Sequence, residues 1–170
     1  MQAVSTPVPN SRERVRDALR AAGLECEIVE TPASARTAVE AGAAVGASVG
    51  QIVKSLVFLC DGRPVLALVA GDNRLDESLL GEIAGGRITR ADAAKVRECT
   101  GFAIGGVAPL GSLAPMPTFC DVDLLAHEYV WAAAGAPHAV FRIEPAALVA
   151  ASAARVAELA LREPRPDCAA

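Results

Sequence analysis

The fold is decided by residues 51–71, which have the sequence QIVKSLVFLCDGRPVLALVAG. Two apolar runs, 52–60 and 64–70, flank the tripeptide Asp61-Gly62-Arg63. An Asp-Gly pair between two such runs is typical of a tight β-hairpin, because both residues tolerate the positive φ angles that the turn requires. This is the strongest hairpin signal in the chain, and it predicts two adjacent antiparallel strands.

Lys54 is the unusual residue of this hairpin, because it places a charge inside an apolar strand. Alternation puts its side chain on one face with Ile52, Leu56 and Phe58, and the opposite face is apolar as well. One interpretation is a lysine near the strand end whose ammonium reaches water. The other is a lysine at the mouth of a concave sheet, directed at a phosphate or carboxylate. The chain has fourteen arginines but only two lysines, Lys54 and Lys95, so a compact point charge is favoured here over the planar arginine fork.

Helices and further strands are predicted on both sides of the hairpin. Ser11 can cap the first helix, and Thr89 with Asp92 forms a capping-box pattern for a later one. The predicted helices lie at 11–22, 34–44, 75–84, 89–99 and 145–159. The predicted strands lie at 25–30, 52–60, 64–70, 117–125, 128–135 and 139–143, with a glycine-rich strand-and-loop segment at 100–111.

These elements do not alternate regularly between strand and helix. We therefore predict an α/β protein of the α+β type, with a mixed, largely antiparallel sheet or partial barrel flanked by helices. A chain of 170 residues is most simply one domain. We assign that domain to residues 11–160, after a flexible lead-in at 1–10 and before a frayed tail at 161–170.

Composition excludes several classes of protein. The apolar runs are too short to span a bilayer, and the N-terminal residues lack the pattern of a signal peptide. A net charge of −4 argues against non-specific coating of nucleic acid. The five cysteines form no C-x-x-C pair, which is typical of reduced cytosolic thiols and not of a zinc site. We therefore expect a cytoplasmic protein that requires no metal or cofactor and binds neither membrane nor DNA.

The segment 101–111, GFAIGGVAPLG, is the second candidate site, because it holds four of the fourteen glycines. Glycines let a ligand approach bare N–H groups, which can hold a phosphate or a developing oxyanion. The segment matches neither a P-loop nor a dinucleotide-binding motif. A structural turn with a bulge explains the glycines equally well.

The histidines and the clusters of basic residues are weaker candidates for a functional site. His138 follows Gly135-Ala136-Pro137 on a predicted turn, where it could orient a substrate, whereas His127 is interpreted as a surface residue. Clusters of basic residues occur on the predicted helices near 12–20 and 87–97, but acids are interleaved with both. Solvated helix faces and a modest RNA-binding patch both remain open.

Taken together, the ordered motifs resemble the YbaK/ProX family of freestanding aminoacyl-tRNA deacylases, which is related to the editing insertion of bacterial prolyl-tRNA synthetase. The resemblance rests on IVKSLVF, on DGRPVLALVAGDNRLD, and on TGFAIGGVAPLG followed by PTFCDVDLL. It covers roughly residues 11–160, which is nearly the whole chain. It implies a hydrolase that removes a small wrong amino acid, namely Ala, Ser, Thr, Cys or 2-aminobutyrate, from proline tRNA.

The resemblance also implies roles for individual residues. Lys54 corresponds to the hallmark functional lysine, and the family's G-x-x-x-P loop corresponds to residues 105–109. The catalytic candidates are Lys54, Gly105, Gly106, Pro109 and His138. The substrate-binding candidates are Lys54, Val107, Ala108 and Gly111. The expected partners are the acceptor end of an aminoacyl-tRNA and prolyl-tRNA synthetase.

A rival hypothesis keeps the same fold without catalysis. A binding module could retain the lysine and only carry or sense tRNA or nucleotides. A hydrolase acting on another small ester is a third hypothesis. Turnover on charged tRNA separates these possibilities, which the residues alone leave open.

Overall fold

The structure is a computed structural model, and it describes residues 10–162. Within this range the helices are α1 Ser11–Ala21, α2 Ala38–Val45, α3 Glu77–Ala84, α4 Ala93–Thr100 and α5 Pro145–Ser152. The strands are β1 Ile28–Glu30, β2 Val53–Cys60, β3 Arg63–Ala70, β4 Ile88–Arg90, β5 Thr118–Asp121, β6 Val130–Ala133, β7 Ala139–Ile143 and β8 Arg155–Ala157. Short 3₁₀ helices cover Val49–Gln51 and Val122–Ala126.

The strands form two sheets. The larger has the order β4-β2-β3-β5-β8, with antiparallel pairing of β2 to both β3 and β4 and parallel pairing along β3-β5-β8. The smaller has the order β1-β7-β6 and is antiparallel. An isolated bridge between Ile52 and Trp131 joins the sheets at the start of β2. The architecture is therefore the mixed α/β fold that the sequence predicts, in the form of two sheets and not a closed barrel.

The central hairpin is confirmed, and its turn is two residues long. Asp61 and Gly62 adopt φ values of 49° and 80°, the left-handed region that a type I′ turn requires at both positions. Cys60 pairs directly with Arg63, which already belongs to β3. The Asp61 main chain also bonds to the carbonyl of Arg87, which fastens the start of β4 to the hairpin.

Alternation along β2 and β3 separates two hydrophobic cores. Val53 and Val57 belong to the larger core, with α1, α5 and both sheets around it. Leu56 and Phe58 pack on the other face, against a smaller core that contains Leu80 of α3. Lys54 shares the parity of this second face, as predicted from the strand pattern.

Several boundaries differ from the sequence-based expectations. The first helix is capped by Asn10, whose side chain accepts from the Glu13 N–H, and not by Ser11. Thr89 lies inside β4, so Asp92 caps α4 without it. Within 100–111, Thr100 ends α4 and the rest is a loop without a strand.

The last predicted helix is too long. It ends at Ser152 because Ala153 turns into the left-handed region with φ 53°. The chain then forms β8, which pairs in parallel with β5. Pairing at the sheet edge thus overrides the helical preference of an alanine-rich stretch.

Residues 1–9 and 163–170, most of the predicted lead-in and tail, lie outside the described residues, and the domain boundaries stay predictions. Among residues 10–162, each helix is too short or too polar to cross a membrane.

Candidate functional site

The candidate site is a cavity of about 570 Å³ along the open edge of β2. Consecutive residues 52–58 all line it, which is possible because the cavity follows the strand edge and meets both faces. Trp131, Ala133 and Val140 of the smaller sheet form the opposite wall. Where the two sheets separate after the Ile52–Trp131 bridge, they leave this space between them.

The edge of β2 presents main-chain groups to the cavity. In a two-residue hairpin, the pair that closes the turn exchanges hydrogen bonds, and every second pair after it does so too. Cys60 and Arg63 close this hairpin, so the even-numbered residues of β2 bond to β3. The N–H and C=O groups of Ser55 and Val57 therefore point toward the edge, which β4 covers only from Phe58 onward.

Lys54 lies in the cavity wall and is half-buried. Its Nζ donates a hydrogen bond to the main-chain carbonyl of Asn73, in the loop that follows β3. Burial lowers the pKa of Lys54 below its ordinary value, and the nearby carboxylate of Asp72 partly offsets this effect. One of the three ammonium donors is therefore engaged by the protein.

The glycine loop meets the cavity at Ile104, Gly105 and Val107. Gly105 has φ 87°, a conformation that favours glycine. Within residues 10–162, the N–H groups of Gly105 and Val107 donate to no protein acceptor. These two amides are therefore available for an anionic ligand atom.

Other residues of the loop are placed differently. Gly106 packs on the turn at 135–137, because a Cβ there would lie 2.8 Å from the main chain of Ala136. Ala108 and Pro109 are buried in the interior and do not line the cavity. Gly111, with φ 85°, packs against the main chain of Arg14 in α1.

Arg14 fastens both ends of the loop, a role that the sequence does not reveal. Its guanidinium donates to the Gly111 carbonyl at 3.2 Å and to the Gly101 carbonyl at 3.0 Å. It also stacks over the Phe102 ring, 5.1 Å from the centroid. The loop is thus held by a cation from a helix about ninety positions earlier, so no local pattern could have indicated the contact.

His138 lies beside the cavity. Its neighbours Pro137 and Val140 line the wall, while His138 itself does not. Its main-chain carbonyl accepts from the Thr31 N–H at 2.7 Å. Its Nδ1 and the Oγ of Ser55, which does line the cavity, are buried without a hydrogen-bond partner in the described part of the chain.

Two exposed arginines, Arg36 and Arg90, also line the cavity. Arg90 makes an exposed ion pair with Glu77 at 3.4 Å, a contact worth little in water. Of the lining residues in the described chain, the cationic ones are these two arginines and Lys54, and none is a carboxylate or histidine. The wall is otherwise mainly apolar, so the site combines positive charge at its edge with an apolar interior. No three His, Cys, Asp or Glu side chains between residues 10 and 162 converge on a metal position.

Comparisons with known proteins agree with this geometry. A family model for the aminoacyl-tRNA editing domain matches residues 32–151. Protein YwhH of Bacillus subtilis (strain 168), whose function is uncharacterised, is 30% identical over 122 residues, or 71% of this chain and 78% of that protein. Proline–tRNA ligase of Nitratidesulfovibrio vulgaris (strain DP4) is 37% identical over 97 residues. These are 56% of this chain but 17% of the ligase, so the likeness is confined to one part of that enzyme.

A solved structure gives the same result at the level of the fold. It is provisionally assigned as a trans-editing enzyme for prolyl-tRNA synthetase. It has a TM-score of 0.86 and 49% identity, and the match covers 91% of this chain and 99% of that one. The family model spans well over half of the chain and includes Lys54, the glycine loop and the turn at His138. This chain therefore belongs to the aminoacyl-tRNA editing domain family, the YbaK-like group related to the editing part of prolyl-tRNA synthetase.

Proposed function

We propose that this protein is a trans-editing hydrolase that deacylates mischarged aminoacyl-tRNA. The proposed substrate is proline tRNA that carries a small wrong amino acid: Ala, Ser, Thr, Cys or 2-aminobutyrate. One observation supports the proposal most strongly. Lys54, Gly105 and Val107 line the same cavity, and the N–H groups of the two loop residues donate to no acceptor in the described chain. This supports a fixed cation and an oxyanion-binding loop that act on one substrate.

The reaction is the hydrolysis of the ester between the amino acid and the terminal ribose. Water adds its oxygen to the acyl carbon, the tetrahedral oxyanion forms, and the ribose oxygen leaves with a proton. The Gly105 and Val107 amides would stabilise that oxyanion, and one good donor lowers such a barrier by about 3 kcal/mol. Because the described cavity wall contains no carboxylate or imidazole, we propose that the amine of the substrate assists the water.

Lys54 would position the substrate by its charge. Its ammonium has three N–H donors, and the Asn73 carbonyl accepts from one. The remaining donors can hold the terminal phosphate or the ribose, which fixes the ester against the glycine loop. The hydrogen bond to Asn73 keeps the ammonium in place before the substrate arrives.

The side chain of the wrong amino acid would enter the apolar part of the cavity. Val57, Val107 and Ala133 contribute to its wall. A methyl or hydroxyl group changes selectivity by about 1–3 kcal/mol in such a pocket. We therefore expect alanine and 2-aminobutyrate to be removed faster than serine.

The acceptor end of the tRNA would approach the edge of the cavity that carries Arg36 and Arg90. Arg36 and Arg90 are exposed there and can neutralise backbone phosphates. The protein has net charge −4, so this local patch would support contact with the acceptor end but not with a whole tRNA. We propose prolyl-tRNA synthetase as the partner that delivers the tRNA, and the cytoplasm as the place of the reaction.

A panel of charged tRNAs tests the proposal. Proline tRNA charged with each of the five candidate amino acids, and with proline, is incubated with the protein, and the remaining ester is measured against uncatalysed hydrolysis. We expect hydrolysis of the small wrong amino acids and protection of the prolyl ester. Binding without hydrolysis of any ester would instead support a non-catalytic tRNA-binding module. Equal rates on a free amino-acid ester and on charged tRNA would indicate a general small-ester hydrolase.

A further inference from the structure

Asn73 makes more polar contacts with the site than any pattern in the sequence indicates. Its main-chain carbonyl accepts the hydrogen bond from Lys54 Nζ. Its side-chain Nδ2 donates to Asp121 at 2.8 Å and to Asp123 at 2.6 Å. One residue therefore contacts the lysine with its main chain and two carboxylates with its side chain.

Asp121 is a buried carboxylate that lowers the stability of the fold. It is fully buried at the end of β5, its Oδ2 accepts from Asn73, and its Oδ1 has no partner among the described residues. A buried carboxylate that is only partly satisfied destabilises a protein. Strand register places Asp121 in the same row across the sheet as Val69 and Lys54, on one face. The carboxylate thus lies two strands from the lysine, with β3 between them and Asn73 contacting both.

Asp123 joins this group to the end of the described chain. Its carboxylate accepts from Arg162 at 2.8 Å and 3.0 Å. The segment before Arg162 runs alongside the loop that carries Asn73. There the Leu161 N–H donates to the Arg74 carbonyl, and the Asp76 N–H donates to the Leu159 carbonyl, each at 2.7 Å.

We infer that Asn73 is a positioning residue that orients the ammonium of Lys54, with the Asp121 and Asp123 carboxylates fixing its side chain. Since Lys54 matters through its proposed function, the inference rests on that function and extends it to residues outside the cavity. Asn73 and Asp121 are absent from the cavity wall, so they act through Lys54 and not on the substrate.

The geometry explains why a side-chain amide is needed at position 73. In the loop that follows β3, the Asn73 N–H donates to the Ala70 carbonyl and the Leu161 N–H donates to the Arg74 carbonyl, but neither bond involves the carbonyl of residue 73. The direction of its carbonyl at residue 73 therefore depends on what holds the residue. The amide offers two N–H donors, and each carboxylate takes one contact. Replacing the amide with a methyl group would remove the side-chain anchor of residue 73 and leave Asp121 without its donor.

The first test observes the lysine directly and needs no substrate. The chain has only two lysines, so a two-dimensional ¹H–¹⁵N spectrum of lysine ammonium groups is simple, and Lys54→Arg assigns the Lys54 signal. We expect that signal to be visible in the wild type, because the hydrogen bond to Asn73 slows proton exchange. In Asn73→Ala it should weaken at least about fivefold. An unchanged signal in Asn73→Ala would overturn the inference.

Matched variants separate orientation from general damage. Arg74→Ala alters the neighbouring exposed side chain and leaves the main-chain bond to Leu161 in place, so the Lys54 signal should persist. Arg162→Ala removes only an exposed partner of Asp123. It keeps the test decisive if Asn73→Ala fails to fold. We expect a loss of about twofold in the Lys54 signal, and full retention would count against the inference.

The second test is a double-mutant cycle on deacylation. If Asn73 acts through Lys54, Asn73→Ala should lower kcat/KM about tenfold in the wild type and less than about twofold in Lys54→Ala. Equal losses in both backgrounds would show a merely structural role and contradict the inference. A wild type that hydrolyses no aminoacyl ester would refute the proposed function, while the ammonium spectrum would still decide the role of Asn73.

Discussion

Lys54 is a charged, half-buried residue whose strand face can be predicted from the sequence but whose hydrogen-bond partner cannot. Alternation along β2 predicts correctly that Lys54 shares a face with Leu56 and Phe58. It cannot predict the partner of the ammonium, because that partner is a main-chain carbonyl nineteen positions later. Every residue has such a carbonyl, so no residue type marks the position. The strand pattern marks Lys54 as unusual, and the family resemblance implies its functional role.

The buried hydroxyl of Ser55 predicts a change in stability. Its Oγ is buried without a partner in the described chain, and an unsatisfied hydroxyl costs about 1–3 kcal/mol. Ser55→Ala should therefore raise the free energy of unfolding by about 1 kcal/mol, measured by urea denaturation. Loss of stability in this variant would show that the hydroxyl has a stabilising partner. Ser152→Ala is a matched control, because the Ser152 hydroxyl does have one, the Leu148 carbonyl at 2.6 Å.

Among the larger elements, the glycine loop shows most clearly what the sequence leaves out. Glycine spacing left open whether 101–111 exposes main-chain amides or forms a structural turn, and in the structure Gly105 and Val107 line the cavity. The same spacing could not show that Gly111 instead packs on α1. Nor could it reveal Arg14, which holds the two ends of the loop from a distant helix.

Arg14 gives the prediction for this element. Arg14→Ala removes two charge-assisted hydrogen bonds and the stacking on Phe102, so it should destabilise the fold by about 2–4 kcal/mol. It should also lower kcat/KM, because the amides of the loop lose their fixed position. Thermal unfolding and deacylation kinetics check the two effects. Arg14→Lys should recover only part of the loss, since an ammonium cannot reproduce the guanidinium fork. Wild-type stability in Arg14→Ala would contradict this account of the loop.

In the whole molecule, the cavity exists because two sheets join at one bridge and then diverge. The sequence predicted most of the strands, but it could not assign them to two sheets, because the pairing of β2 with β3 and of β6 with β7 is local while the Ile52–Trp131 bridge spans distant residues. β8 was missed for the same reason, since its pairing with β5 is non-local. Long-range pairing therefore sets both the shape of the cavity and the path of the chain after α5.

The Asp123 contacts predict how stability depends on pH. The hydrogen bond from Asn73, together with the bond and charge of Arg162, lowers the pKa of Asp123 below its ordinary value of 3.8, against the opposing effect of burial. The stabilisation is therefore fully present above pH 3.8 and is lost as the pH falls through the lower folded-state pKa. Asp123→Asn should flatten the acid part of the stability curve measured by denaturation between pH 5 and 2. Parallel curves for the variant and the wild type would contradict the assignment.

The measurement that tests the central claim most directly compares the two lysines of the chain. It follows single-turnover deacylation of proline tRNA that is charged with alanine. Lys54 lines the cavity, whereas Lys95 makes an ion pair with Glu98 on α4. We predict that Lys54→Ala lowers the rate by about a hundredfold or more, while Lys95→Ala stays within about twofold of the wild type. A Lys54→Ala variant that is folded and as active as Lys95→Ala would contradict the account.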